Sequence, residues 1–342
     1  MPVQDRNTLL ADDLWQQSIE SLHTACVAGA AAAHPWVGRL DKERADADAA
    51  RAMRRVLERL AVATRIVAGE GAKDGVEHLA VGEIVNGSIG DVGLEMAVDP
   101  IEGTTNMAHG LPWALSVAAA TPTGGMFETG PSLYMDKFVV PPAAAARVDP
   151  EADTATRLVQ LAAALGKSVA ELRIFVLDKP RHKGLALEIV RAGARVAFHP
   201  AGDVVGTCAV AMTEHFDAVM GIGGTPEGML SACAVHALGA GFFARLTPQR
   251  GEEASAMASA GLVANRWMDV RQMIRGERAV FCAAGITESL LAPGIRLEGD
   301  YLRVSTLTIE CPTGKVSRGS VSVGPLLELN RQFVPLASSS SL

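Results

Sequence analysis

The sequence predicts an α/β protein arranged in one large domain or two lobes. Three observations carry this. The chain has 342 residues and 49% hydrophobic content, ample for a large buried core. Alanine and glycine are abundant while aromatics make up 4%, a composition suited to α/β layers. Beyond a proline- and alanine-rich break at 141–150, helical and strand patterns alternate.

The elements follow in order. Leu9, Leu10, Leu14, Ile19, Leu22 and Cys26 recur at helical spacing and predict a helix over 8–33. A second helix spans 43–61, with Ala49, Met53, Val56, Leu57 and Leu60 on one side. A short apolar strand at 65–68 breaks at Gly69-Glu70-Gly71, and a strand at 94–98 ends at Asp99-Pro100, because proline lacks a ladder donor. Strands are expected at 113–120 and 133–140. The second half then reads helix 153–164, strand 173–177, helix 183–192, strand 194–198, helix 203–213 and strand 217–222. That rhythm predicts parallel strands, with ligands gathered at their carboxyl ends. The polar clusters 179–182, 199–203 and 223–227 fall there. The expected division is 1–145, an N-terminal lobe; 146–330, an α/β C-terminal lobe; and 331–342, a flexible tail.

Charge narrows the function. A net charge of -7 argues against nucleic-acid and membrane-surface partners. No apolar run approaches a membrane span, and the first residues do not read as a signal peptide. The five cysteines share no CxxC spacing and read as small buried hydrophobes of a reducing, cytoplasmic compartment.

The segment Asp99-Pro100-Ile101-Glu102-Gly103-Thr104 is the most informative. Two carboxylates at a strand end supply the hard oxygens that Mg²⁺ or Mn²⁺ requires. Gly103 lets the backbone approach a ligand, and the amides that follow can meet phosphate oxygens. Glu70 repeats this logic as a candidate ligand, with Asp74 able to reach a nearby water. Each segment could equally be a solvated or capping turn. Asp46 stands in a charge run that reads as a solvated helix face. The segment 221–228 has the wrong glycine spacing for a dinucleotide and suits a phosphate or sugar cradle, with Glu227 as an acidic ligand. Lys179, Arg181 and His182 end a strand as a possible phosphate clamp or a basic surface turn. With no nucleophile elbow, hydrolysis by metal-activated water is the simplest chemistry.

Seven blocks occur in one order: GEGAKD (69–74), AVDPIEGTT (97–105), LYMDK (133–137), KPRH (179–182), AGDV (201–204), GIGGTPEG (221–228) and AAGIT (283–287). Together, from residue 9 to about 325, they resemble class II fructose-1,6-bisphosphatases of the GlpX type. The DPIEGT core is similar to the wider lithium-sensitive phosphatase superfamily. The resemblance implies a layered α-β-α-β-α sugar-phosphatase fold with two lobes, dependence on Mg²⁺ or Mn²⁺, and removal of the 1-phosphate of fructose 1,6-bisphosphate. It implies that Asp46, Glu70, Asp99, Glu102 and Glu227 are metal ligands and that Asp74 and Thr104 activate water. Lys42, Gly103, Thr104, Tyr134, Lys179, Arg181, Asp203 and Gly224 take substrate contacts. Asp46, Lys42 and Tyr134 rest mainly on the resemblance. The expected partner is a small sugar phosphate, and a homo-oligomer is expected.

The chain departs from the family pattern at Ala72, where an acid is usual, at Thr105, where Arg is usual, and at Ala201, where Asp is usual. Loss of the acid at 201 removes a hydroxyl-binding partner and bears on which sugar is used. The same chemistry on sedoheptulose 1,7-bisphosphate or another sugar phosphate is therefore an alternative. A non-catalytic sugar-phosphate-binding protein is a further one.

Overall fold

The computed structural model describes residues 10–69, 79–88 and 92–324. The first helix, α1 (Asp12–Ala33), opens with Asp12 and Asp13, whose charges favour a helix N-terminus. The second, α2 (Lys42–Leu57), is capped by Asp41, which accepts from the Arg44 amide at 3.2 Å. The two pack against each other through alanines, and Gly29 lets α1 close on its neighbours. A methyl group there would stand 2.4 Å from Ser116 Oγ and 2.8 Å from Met53 Cγ.

The chain then builds most of a first sheet: β1 (Ala63–Ala68), β2 (Ile84–Val85), β3 (Val92–Glu102), the short helix α3 (Thr104–Ala108) and β4 (Leu115–Pro122). It crosses to a second sheet with β5 (Tyr134–Val140), α4 (Thr154–Leu165), β6 (Arg173–Leu177), α5 (Lys183–Arg191) and β7 (Arg195–His199). It continues there with α6 (Asp203–Met212), β8 (Ala218–Gly224), α7 (Thr225–Ala237), β9 (Gly241–Leu246), α8 (Gly251–Ser259), β10 (Met268–Asp269) and α9 (Val270–Met273). It returns to the first sheet with β11 (Ala279–Gly285), β12 (Arg296–Glu298), β13 (Tyr301–Cys311) and β14 (Lys315–Val323). Among the described residues the first sheet has eight strands, in order β12-β13-β11-β4-β3-β1-β2 with β14 beside β13. The second has six, in order β10-β9-β5-β8-β6-β7.

Three cores give five layers, α-β-α-β-α. On the outer face of the first sheet, α1 and α2 meet Ile66, Met96, Val98, Val280 and Cys282. Between the sheets, α6 and α7 meet Val67, Ala97, Phe281 and Ala283 from one side and Met135, Val139 and Phe175 from the other. Beyond the second sheet, α4 and α5 meet Phe138, Ile174 and Val176. Alternate residues of one strand thus enter different cores, as Val280 and Phe281 do. Burial on both faces explains why these strands read as continuous apolar runs.

The structure differs from the expected elements in two ways. β6 pairs in parallel with β7 and β8, but β5 pairs antiparallel with β8 and β9, so the second sheet is mixed. The strand expected to stop at Asp99 continues through Pro100 to Glu102. It can do so because Pro100 lies in a bulge, where no ladder hydrogen bond is demanded of it. The five cysteines are buried and unbridged, as expected. Among the described residues no helix is long and apolar enough to cross a membrane. The tail from 325 onward lies outside the described residues.

Candidate active site

The bulge in β3 aims two acids at one cavity. On β4, Val117 faces Asp99 and Leu115 faces Glu102, so three steps on β3 match two on β4. Without the extra residue, Asp99 and Glu102 would point to opposite faces of the sheet. With it, both line one cavity of about 650 Å³. Each is only 1% exposed. Asp99 Oδ1 accepts from the Ile101 amide at 2.9 Å, which holds the bend. Gly103 follows with φ 80°, and Thr104 donates to the Ile101 carbonyl at 2.8 Å while lying 3.4 Å from Asp46 Oδ1.

The first turns of α2 form a second wall. Lys42 and Asp46 are four residues apart, so both reach the same side of the helix and the same cavity. The charge run is therefore not wholly a solvated face. Lys42 Nζ donates to Thr105 Oγ1 at 2.8 Å.

The second sheet supplies the rest from strand ends. After β6, Lys179 and Arg181 line the cavity. Arg181 donates through Nε and an Nη to the Ile222 carbonyl at 3.0 and 2.8 Å, and its guanidinium lies 5.3 Å from the Tyr134 ring centroid. That contact brings Tyr134, at the start of β5, to the same wall. His182 turns away. Its Nδ1–H donates to Leu177 O at 2.7 Å and its Nε2 accepts from the Ile222 amide at 2.8 Å, so it braces β6 to β8 rather than clamping phosphate. Burial holds its imidazole below the usual range and keeps it neutral.

After β7, Pro200, Ala201, Gly202 and Asp203 line the cavity, and Gly224 at the end of β8 and Glu227 in the first turn of α7 do so too. The glycines of 221–228 serve the acids more than a cradle. A methyl on Gly223 would stand 2.0 Å from Asp203 Oδ2, and one on Gly224 1.9 Å from Glu227 Oε2. Asp203 is ion-paired with Lys137, and the two side chains are 6% and 1% exposed. Lys137, on β5, did not emerge from the sequence as a site residue.

Apart from His182, the predicted site residues within the described region therefore line one cavity: Lys42, Asp46, Asp99, Glu102, Gly103, Thr104, Tyr134, Lys179, Arg181, Asp203, Gly224 and Glu227. Glu70 and Asp74 lie outside the described residues.

The acids repel one another. Burial first, then Asp203 and Glu227, push the Glu102 carboxyl up to about 8, against the opposing pull of the Val204 amide and Lys137. Glu102 Oε1 accepts from Val204 at 3.3 Å, whereas Oε2 of Glu102 and Oε2 of Glu227 are buried without a hydrogen-bond partner.

A family model described as bacterial fructose-1,6-bisphosphatase, glpX-encoded, matches residues 17–321. The chain belongs to this family. It is 36% identical over 298 residues to the class 2 fructose-1,6-bisphosphatase of Haemophilus influenzae, covering 82% of this chain and 88% of that one. It is also 36% identical over 303 residues to fructose-1,6-bisphosphatase 1 class 2 of Escherichia coli, covering 84% and 90%. The chain is accordingly a phosphatase, a phosphoric monoester hydrolase, of a metal-dependent family that acts on small sugar phosphates.

The residues present fit a divalent cation. The donors are carboxylate oxygens, which suit hard cations. Two buried carboxylate oxygens, Oε2 of Glu102 and Oε2 of Glu227, have no partner, and a cation would satisfy both. Among the described residues no three His, Cys, Asp or Glu side chains are already arranged to hold an ion.

Proposed function

We propose that this enzyme hydrolyses the 1-phosphate of fructose 1,6-bisphosphate with Mg²⁺ or Mn²⁺ bound by Asp46, Glu70, Asp99, Glu102 and Glu227. The observation that carries the reading is the buried pair Asp99 and Glu102 and the half-buried Glu227 facing one cavity together with Lys42, Lys179 and Arg181. Both relatives carry the fructose bisphosphatase name, which favours that sugar over sedoheptulose 1,7-bisphosphate. A bound divalent cation supplies Lewis-acid polarisation of phosphate oxygens and makes water more acidic.

The chain's own residues do the rest. Asp74 takes the proton of the attacking water, with Thr104 orienting it; general-base help of this kind contributes roughly 10²–10⁴-fold. Lys179, Arg181 and Tyr134 hold the distal phosphate, so that remote binding orients the reacting end, and Lys42 makes a further substrate contact. Gly103 lets backbone come close to substrate, and Gly224, at the cavity wall, leaves room for Glu227. Asp203, fixed by Lys137, accepts from a sugar hydroxyl. The unbridged, buried cysteines support a cytoplasmic setting.

The test is phosphate release from fructose 1,6-bisphosphate with Mg²⁺ and with Mn²⁺, the product identified as fructose 6-phosphate. Chelation is expected to abolish release. Full activity after thorough metal removal, or no release from this sugar, overturns the reading.

A further inference from the structure

Residue 113 joins the two halves of the cavity. Trp113 precedes β4 and has φ 76°, a left-handed conformation costly for a bulky side chain. Several contacts hold it there. Its amide donates to the Glu288 carbonyl at 2.8 Å, and its carbonyl accepts from Asn106 Nδ2 at 3.3 Å. That same carbonyl lies against Gly103, where an added Cβ would approach it to 2.4 Å. Only glycine at 103 permits this fit.

The indole reaches the other side. A Cβ on Gly202 would stand 3.1 Å from one ring atom and 3.2 Å from the Trp113 Cβ, so Gly202 also sits directly on this residue. His199, the last residue of β7, stacks on the indole with centroids 4.1 Å apart and planes 9° apart. Phe175 and Phe216 continue the packing at 6.2 and 5.9 Å. The segment Pro200-Ala201-Gly202 thus leaves and returns to one indole. Gly103 and Gly202 both line the cavity, and each precedes a helix that begins with a proposed site residue, Thr104 or Asp203.

We infer that Trp113 is a positioning residue for substrate, setting the separation between the turn at Gly103 and the sugar-side turn that carries Ala201 and Asp203. The inference rests on the sugar-phosphatase reading. Trp113 touches no reacting atom; it acts through the two turns. A bisphosphate substrate spans both, so a shift of either turn degrades binding of the whole molecule. Burial, then Arg173 and His215, lower the His199 imidazole to about 4, so the stack is between neutral rings near neutrality.

The test compares Trp113→Asn with Trp113→Phe. Asparagine tolerates positive φ and keeps the backbone, but it removes the ring. Misplacement of about 1 Å can cost on the order of 100-fold. Trp113→Asn is therefore expected to lower kcat/KM for fructose 1,6-bisphosphate by roughly 10–100-fold. The loss should fall on KM, with an unchanged half-activating cation concentration. Trp113→Phe should restore most of it. Wild-type KM in a folded Trp113→Asn enzyme overturns the inference, as does a loss confined to kcat or to thermal stability. Calorimetric binding of fructose 1,6-bisphosphate separates this result from the functional proposal. A wild type that binds without turnover fails that proposal alone. Equal affinity in Trp113→Asn fails this inference alone, and no binding by either protein overturns both.

Discussion

Replacing Lys137 by methionine isolates the energetics of the buried pair behind the cavity. The lysine side chain is 1% exposed and its Asp203 partner 6%. Methionine keeps most of the stem packing and removes the ammonium, leaving a buried carboxylate near Glu102 and Glu227. Breaking a buried pair from one side costs about 3–5 kcal/mol. A stranded aspartate can instead take up a proton, at about 4 kcal/mol at pH 7 but only about 1.5 kcal/mol at pH 5, from the ordinary carboxylate range. The two routes agree at neutral pH and diverge in acid. Thermal unfolding in chelator should show Lys137→Met well below wild type at pH 7, with the gap shrinking at pH 5. The double variant Lys137→Met/Asp203→Asn should regain stability over the single one, since no buried charge is stranded. A loss under about 1 kcal/mol at pH 7, where 3–5 is expected, or a double variant no better than the single, would refute the reasoning.

Asp99→Asn should abolish turnover and weaken cation binding measured calorimetrically, because a buried charged ligand is lost; near-normal kcat would mean the site is elsewhere. Ala201→Asp adds a carboxylate to the sugar-side turn. A charge-assisted hydrogen bond of about 1.5–3 kcal/mol should raise selectivity for fructose 1,6-bisphosphate over a competing sugar phosphate by roughly 10–150-fold. An unchanged kcat/KM ratio would mean that position 201 does not read the sugar. His182 has its folded imidazole lowered by burial, so the stability it contributes is present above the ordinary range and lost as pH falls through the lowered value. His182→Gln should therefore cost most near pH 7 and progressively less toward pH 5 in thermal unfolding, and a gap independent of pH would contradict this.

Much of the candidate site was legible because its residues cluster where strands end. Asp99, Glu102, Lys179, Arg181 and Glu227 each follow an apolar run, and a strand end is where a side chain can leave the sheet and enter a cleft. The bulge was not legible. Asp99-Pro100 reads as a strand terminus by local chemistry, and only pairing with β4 reveals the extra residue. Lys137 does carry a signal in the sequence. It alternates with Met135 and Val139, both in the central core, so period-2 spacing assigns a lysine to a buried face, and a buried lysine requires a partner. The glycine-rich segment 221–228 reads as a phosphate or sugar cradle, yet the need for glycine at 223 and 224 comes from carboxylates that approach from α6 and α7. From β9 onward the strands carry little pattern in the sequence. β11 is buried on both faces and shows no alternation, and β14 is mostly exposed.

The central layer has a consequence for how this enzyme should respond to its ligands. Both α6 and α7 begin at the cavity wall and then run between the two sheets, where their apolar residues form the core that each sheet leans on. A molecule held by Asp203 and Glu227 is therefore held by the two helices that bind the halves together. Occupancy and cohesion become linked quantities. A ligand present at 100 times its dissociation constant adds about 2.7 kcal/mol to the folded state, and here that gain resists the parting of the sheets. Amide protons in the later turns of α6 and α7, between the sheets, would slow their exchange with solvent when the cavity fills, making the buried middle of the molecule a reporter of what is bound at its edge.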